Sequence, residues 1–211
     1  MTINIALLGK DISHSKSPLL YREIYGKKLT SYDLLDLNLN EINIGKLLNN
    51  YDALNITAPY KESFVYTVQT LIGSFESINT IWKKDNVIYG TNTDYPALKK
   101  IYRSQFLKYK DVFILGDGAM AKMCLKLIPF AKVLSRRNGL LQNAKKHLKK
   151  DTLVINACSR NFDINELLRY DIFMWDLNYN VDYSVNNFSQ YMDGKSLLKT
   201  QAMIATDFWK I

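Results

Sequence analysis

The clearest chemical signal in the 211-residue sequence is a pair of glycines one residue apart behind an apolar run. Val112-Phe113-Ile114-Leu115 leads into Gly116-Asp117-Gly118-Ala119-Met120-Ala121, a G-x-G-x-x-A pattern, and then into a helical stretch. In a dinucleotide site Gly116 allows the tight turn and Gly118 lets a pyrophosphate approach the backbone. Ala121 is small enough for close helix–strand packing, with the helix N-terminus facing the phosphates. The same pattern also occurs as a plain turn after a buried strand. About 20 residues further on, where an NAD site carries an acid for the ribose 2′-hydroxyl, stands Ser135-Arg136-Arg137. Guanidinium groups there favour a 2′-phosphate by charge and bidentate geometry, so the dinucleotide expected is NADP. In isolation the two arginines read equally as solvated surface cations. Asp117 works against the pattern, because a carboxylate in a phosphate loop repels pyrophosphate unless it points to solvent.

Composition narrows the remaining chemistry. The two cysteines, Cys124 and Cys158, sit in separate expected elements without a metal-ligand companion at short spacing, so neither a disulfide framework nor a metal site is expected. Basic residues outnumber acidic ones 28 to 20, a net charge of +8 that admits nucleic acid, an acidic membrane surface or small anions as partners. The basic residues are scattered as pairs such as Lys27-Lys28 and Lys145-Lys146, with no finger, zipper or ribonucleoprotein motif, so no nucleic-acid partner is expected. No apolar run approaches the roughly 18 residues of a membrane span, and the N-terminus carries no basic and apolar leader pattern. A cytoplasmic chain without a membrane partner, monomeric or homodimeric, is expected.

The elements that must position these residues alternate short apolar strands with amphipathic helices, the pattern of an α/β fold with largely parallel sheets. Strands are expected at Ile3–Leu8, Tyr32–Leu37 and Leu54–Thr57, and helices near Pro18–Tyr25, Glu41–Asn50 and Glu62–Ile72. Ile78–Lys83 and Val87–Tyr89 flank Asp85-Asn86 as an antiparallel hairpin. A helix from Thr93 to about Tyr109 bridges to a second set of strands, Val112–Leu115, Lys132–Ser135, Leu153–Ala157 and Ile172–Leu177, as in a doubly wound sheet. Gly194 to Trp209 reads as a terminal helix. Residues 1–94 with 190–211 are expected as one α/β domain, and 95–189 as a shortened Rossmann-like nucleotide domain, the C-terminal helix returning to the first.

The first domain holds the more distinctive blocks. Gly9 and His14-Ser15-Lys16-Ser17-Pro18 come after the first strand, and Asn55-Ile56-Thr57-Ala58-Pro59-Tyr60-Lys61 runs from the third strand into the loop beyond it. Ser77-Ile78-Asn79-Thr80 and Gly90-Thr91-Asn92-Thr93-Asp94 flank the hairpin. Later come Ile155-Asn156-Ala157-Cys158, Asp176-Leu177-Asn178-Tyr179 and Gly194 with Gln201. In this order the blocks resemble the shikimate dehydrogenase family, over essentially the whole chain. The resemblance implies an NADP-dependent oxidoreductase interconverting 3-dehydroshikimate and shikimate, a small anionic substrate of chorismate and aromatic amino acid biosynthesis. It implies that Ser15 and Ser17, with Tyr179, bind the substrate carboxylate, and that Thr57, Asn79 and Gln201 hydrogen-bond the ring hydroxyls. Lys61 and Asp94 match the family's catalytic pair. The cofactor would lie against Gly116 to Ala121 (Gly116, Asp117, Gly118, Ala119, Met120, Ala121), against Ser135, Arg136 and Arg137, and against Asn156, Ala157 and Cys158.

The pair makes chemical sense. Hydride delivery to a ketone develops negative charge on oxygen, which a positioned ammonium stabilises and protonates. Asp94 would orient that amine and contact a substrate hydroxyl. His14 has no readable acid-backed triad around it and is assigned no chemistry. The chain departs from the family pattern mainly in its second half, where Ala119-Met120 replaces part of the glycine-rich loop and Ser135 stands in place of Asn before the arginine. Two alternatives share the same residues: a paralogue acting on quinate or a related cyclohexene carboxylate, and a non-catalytic relative that binds shikimate-like metabolites with impaired cofactor binding.

Overall fold

The computed structural model describes residues 2–73, 76–165, 167, 171–179 and 190–209. It divides into two compact units, Met1–Ala97 with Leu198–Ile211, and Leu98–Leu197. The chain passes between them inside two helices, α3 (Asp94–Gln105) and α5 (Lys195–Trp209).

Unit 1 is built on a six-stranded sheet of β1 (Ile3–Gly9), β2 (Leu29–Asp36), β3 (Ala53–Ile56), β4 (Thr70–Ile72), β5 (Thr80–Lys84) and β6 (Val87–Thr91). The spatial order is β2-β1-β3-β5-β6-β4. β1 runs parallel to both β2 and β3, while β5 is antiparallel to β3 and to β6. β1 reads as an almost unbroken apolar run because both of its faces are covered. Ile3, Ile5 and Leu7 join one core with Tyr21, Trp82, Ala202, Ala205 and Trp209. Ala6 and Leu8 join another with Ile44, Leu48, Ile56, Tyr60 and Phe64. The hairpin turn is the one its residues ask for: Asp85 and Asn86 both take positive φ, 50° and 61°, as a two-residue turn matched to strand twist requires.

Two expected helices differ. Glu41–Asn50 contracts to the short α2 (Ile44–Leu47), where the Asn43 side chain accepts from the Lys46 amide at 3.0 Å. Glu62–Ile72 is not a helix. Only the 3-10 turn Tyr60–Glu62 forms, and Thr70–Ile72 becomes edge strand β4, parallel to β6. Residues 63–67 run through turns, Thr67 N donating to Phe64 O at 3.0 Å, before the chain extends into β4. The open edge of β6 offers ladder groups that a helix would leave unpaired. Gln69 fastens the join, its amide donating to Ile88 O at 2.9 Å and its side chain accepting from Ile88 N at 2.7 Å.

Unit 2 carries a five-stranded sheet in the order β11-β10-β9-β7-β8, parallel throughout. Its strands are β7 (Val112–Leu115), β8 (Lys132–Leu134), β9 (Thr152–Asn156), β10 (Ile172–Asp176) and β11 (Tyr191–Met192). α4 (Ala119–Leu127) follows β7 directly. All four β7 residues and all five β9 residues are buried, as a sheet covered on both faces requires.

Candidate active site and nucleotide loop

In unit 1 the chemistry collects at one edge of the sheet, where β1, β3 and β6 end and β5 begins. Gly9 closes β1 where the following loop touches the one after β3. A Cβ there would lie 2.7 Å from Ile12 Cγ2 and 3.1 Å from Ala58 O, and Lys10 N donates to that same carbonyl at 3.2 Å. The loop is held from outside by Asp36 at the end of β2, which pairs with Lys10 Nζ at 3.2 Å and accepts from Ile12 N at 3.4 Å. The hydrogen bond to Asp36 raises the Lys10 amine above its ordinary value. The loop delivers half-buried Ser15, whose Oγ accepts from Ser17 N at 3.2 Å, and buried Ser17 opens α1 (Ser17–Tyr25) with Pro18 in its first turn. Thr57, half-buried after β3, anchors its backbone to Leu8 O at 2.9 Å.

Lys61 sits in the 3-10 turn after β3, its carbonyl accepting from Ile78 N at 2.8 Å. Asp94 is the first residue of α3, a favourable place for a carboxylate beside the helix N-terminus. Asn92 fixes that start: its Oδ1 accepts from Asp94 N at 2.9 Å and Tyr95 N at 3.3 Å, while its Nδ2 donates to Ser77 O at 3.0 Å. The two turns thereby bring Lys61 Nζ within 2.6 Å of Asp94 Oδ2, with side chains only 22% and 9% exposed. Beside them Asn79 is buried in a polar knot. Its Nδ2 donates to Thr93 Oγ1 at 3.0 Å and reaches Gln201 Oε1 at 3.5 Å, its Oδ1 accepts from Thr93 N at 2.8 Å, and Thr93 Oγ1 lies 3.1 Å from Gln201 Oε1. An ammonium–carboxylate pair next to neutral amides and a hydroxyl can polarise a carbonyl while sorting neighbouring hydroxyls by hydrogen bonding.

In unit 2 the glycine loop has the strand–turn–helix setting that its pattern requires. Gly116 has φ +103°, and a Cβ there would lie 3.0 Å from Ala157 O and 3.2 Å from Cys158 N, so the loops after β7 and β9 touch. Gly118 is different. Its backbone is extended, φ −74° and ψ −173°, and nothing lies within 4 Å of where a Cβ would stand, which leaves open space before the first turn of α4. Ala119 and Met120 are half-buried in that turn, and Ala121 is buried against the sheet. Buried Ser135 ends β8 in a turn closed by Asn138, whose Oδ1 accepts from Ser135 N at 3.0 Å and whose amide donates to Ser135 Oγ at 3.2 Å. Arg136 and Arg137 ride exposed on this turn.

After β9 and β10 a carboxylate organises the edge. Asp176, fully buried, accepts from Asn156 Nδ2 at 3.0 Å, Asn178 N at 2.9 Å, Asn178 Nδ2 at 3.0 Å and Tyr191 OH at 3.2 Å. Burial pushes its carboxyl above the usual carboxylate range, and these donors pull it part of the way back. Asn156 Oδ1 accepts from Cys158 N at 3.1 Å, so the same network fixes Asn156, Ala157 and Cys158 beside Gly116. Burial raises the Cys158 thiol to about 11 and the Cys124 thiol to about 12. Tyr179 is half-buried under the Arg160 guanidinium, 5.0 Å from its ring centre.

No protein-family model matches the chain. It is 28% identical over an alignment of 246 positions to shikimate dehydrogenase (NADP(+)) from Pelagibacter ubique, covering 96% of this chain and 91% of the relative. Identity to the enzyme of the same name from Clostridium botulinum (strain Loch Maree / Type A3) is 27% over 183 residues, 80% of this chain and 68% of the relative. In three dimensions it matches shikimate dehydrogenase 1 from Peptoclostridium difficile with a TM-score of 0.78 at 22% identity, over 100% of this chain and 92% of the other. The chain is similar in sequence to the shikimate dehydrogenases and shares their fold. A further match is shikimate 5-dehydrogenase from Thermus thermophilus, solved with NADP(H) and shikimate (TM-score 0.76, 20% identity, 99% and 93% covered).

Of the residues that the shikimate dehydrogenase resemblance singled out, unit 1 brings together Lys61 with Asp94, Asn79 with Gln201, and Ser15 with Ser17. Tyr179 and the nucleotide-loop residues belong to unit 2. Sequence reasoning gave no role to Thr93, Asn92, Asn138 or Asp176, although each holds a site residue in place. The dipeptide Asn138-Gly139 was a turn signal in plain view. Asn92 and Thr93 precede a helix at positions where capping side chains are favoured.

Proposed function

We propose that this chain catalyses the NADP-dependent, reversible reduction of 3-dehydroshikimate to shikimate in the cytoplasm, with the small anionic substrate as its partner rather than nucleic acid or membrane. The observation that carries the reading is the Lys61–Asp94 pair, held at 2.6 Å beside the Asn79, Thr93 and Gln201 knot. Ser15 and Ser17 offer hydroxyls to the substrate carboxylate. Thr57, Asn79 and Gln201 present neutral donors and acceptors to ring hydroxyls, and a site of that kind rejects analogues lacking those hydroxyls because its buried polar groups are left unpaired. Lys61 donates a proton to the carbonyl oxygen as charge develops there, and takes it back in the oxidative direction. Asp94 keeps the amine aimed. Tyr179 is assigned to the carboxylate end.

The open space before Gly118, the glycine-only turn at Gly116 and the exposed Arg136 suit a phosphorylated dinucleotide, which supplies the hydride when bound. Gly116 to Ala121, Ser135 to Arg137 and Asn156 to Cys158 would hold it. Incubation of purified protein with shikimate and NADP+, with quinate and NAD+ as controls, tests the reading. NADPH formation with shikimate exceeding that with quinate is expected. Quinate preference would assign the paralogue activity. Shikimate-induced thermal stabilisation without turnover would identify a binding protein instead.

A further inference from the structure

The carboxylate in the glycine loop has a partner. Asp117 Oδ2 lies 3.4 Å from Arg137 Nε, with side chains 42% and 85% exposed. The backbone positions of both residues are set by turns: Asp117 by the positive-φ turn at Gly116, and Arg137 by the Ser135–Asn138 turn, in which Gly139 N also donates to Arg136 O at 3.1 Å. Arg136, its exposed neighbour, forms no ion pair among the described residues. A pair this exposed contributes little to folding stability. Its consequence lies in the field of the loop. An unpaired carboxylate between two glycines would face incoming phosphates with like charge, and a guanidinium held against it cancels that charge locally.

Resting on the NADP reading above, we infer that the two arginines divide the work: Arg136 reads the 2′-phosphate, whereas Arg137 neutralises Asp117 and makes the glycine loop receptive to any dinucleotide. Arg137 is then a positioning residue for the loop and does not discriminate NADP from NAD.

Equilibrium titration of NADP+ and NAD+ into the parent chain and into Arg136→Gln, Arg137→Gln, Asp117→Asn and the Asp117→Asn/Arg137→Gln double variant tests this without any turnover. The three substituted positions carry solvent-exposed side chains, and thermal melts check that each of the four variants is folded. Arg137→Gln is expected to weaken both nucleotides by a similar factor, about three- to tenfold, and the double variant to return both to within about twofold of the parent. Arg136→Gln is expected to weaken NADP+ alone, by about tenfold or more. A loss in Arg137→Gln confined to NADP+ would overturn the proposal, since Arg137 would then read the 2′-phosphate itself. A double variant as weak as Arg137→Gln would overturn it too. Selective loss of NAD+ in Asp117→Asn would make Asp117 a ribose acceptor, also against the proposal. If the parent binds neither nucleotide, the NADP reading fails first and takes this one with it.

Discussion

At the scale of single residues, the function turns on which charges are paired and which thiols are silent. Lys61 and Asp94 are joined by one short contact, but each is placed by a separate device: the 3-10 turn after β3 for the lysine and the Asn92 cap of α3 for the aspartate. The thiols show the opposite arrangement. Cys158 stands between loops assigned to the cofactor, yet its thiol is raised from 9.0 to about 11, chiefly by burial, with Arg136 lowering it and Asp117 and Asp176 raising it within that net value. Because the raised value favours the neutral thiol, the thiolate fraction near pH 8 falls about a hundredfold relative to an unshifted cysteine. Alkylation of the folded protein by iodoacetamide at pH 8 should therefore be slower than that of the urea-unfolded chain by about that factor, and should speed up as pH rises toward 11. Equal rates folded and unfolded would contradict the burial of this thiol.

At the scale of elements, the two glycines of the nucleotide loop make separable predictions. Gly116→Ala forces a side chain into φ +103° and toward Ala157 O at 3.0 Å. It should lower the stability of unit 2 by about 1–3 kcal/mol in urea unfolding. Gly118→Ala meets ordinary backbone angles and empty space. It should leave stability within about 0.5 kcal/mol and weaken NADP+ binding tenfold or more, because its methyl would occupy the space before α4. A stable Gly116→Ala variant, or unchanged binding in Gly118→Ala, would count against this account of the loop. These elements were legible because their signals are local: a strand, a glycine turn and a helix in succession, or Asp85-Asn86 between two apolar runs. β4 was not legible. Phe64, Val65, Val68 and Leu71 fit a helical period, and only the unpaired edge of β6, distant in sequence, makes extended chain the better solution. The network around Asp176 was hidden for the same reason, since its donors come from three separate strand ends.

At the scale of the whole molecule, the terminal helix ties the end of the chain into unit 1. Trp209 is buried, stacks on Tyr21 with ring centres 5.6 Å apart and donates to Thr80 Oγ1 at 2.9 Å. The same helix presents Gln201 to Asn79 and Thr93. Trp209→Ala should cost about 3–5 kcal/mol of unit 1 stability in urea unfolding. A loss under about 1 kcal/mol would show that the helix is an appendage. The sequence showed that a helix lay here, from its period and its flanking Gly194, but not that Thr93 would complete the knot with Gln201, because that contact spans 108 positions. The net charge of +8 takes on a narrower meaning in this setting, as it suits a substrate and a cofactor that are both anions. The central claim is that this arrangement turns over shikimate through Lys61. It is tested most directly by the initial rate of NADPH formation at saturating shikimate, measured for the parent chain and for Lys61→Ala. The account predicts turnover in the parent and a kcat lower by about 10²- to 10⁴-fold in the variant, with KM for shikimate nearly unchanged. Near-normal kcat in Lys61→Ala would contradict it.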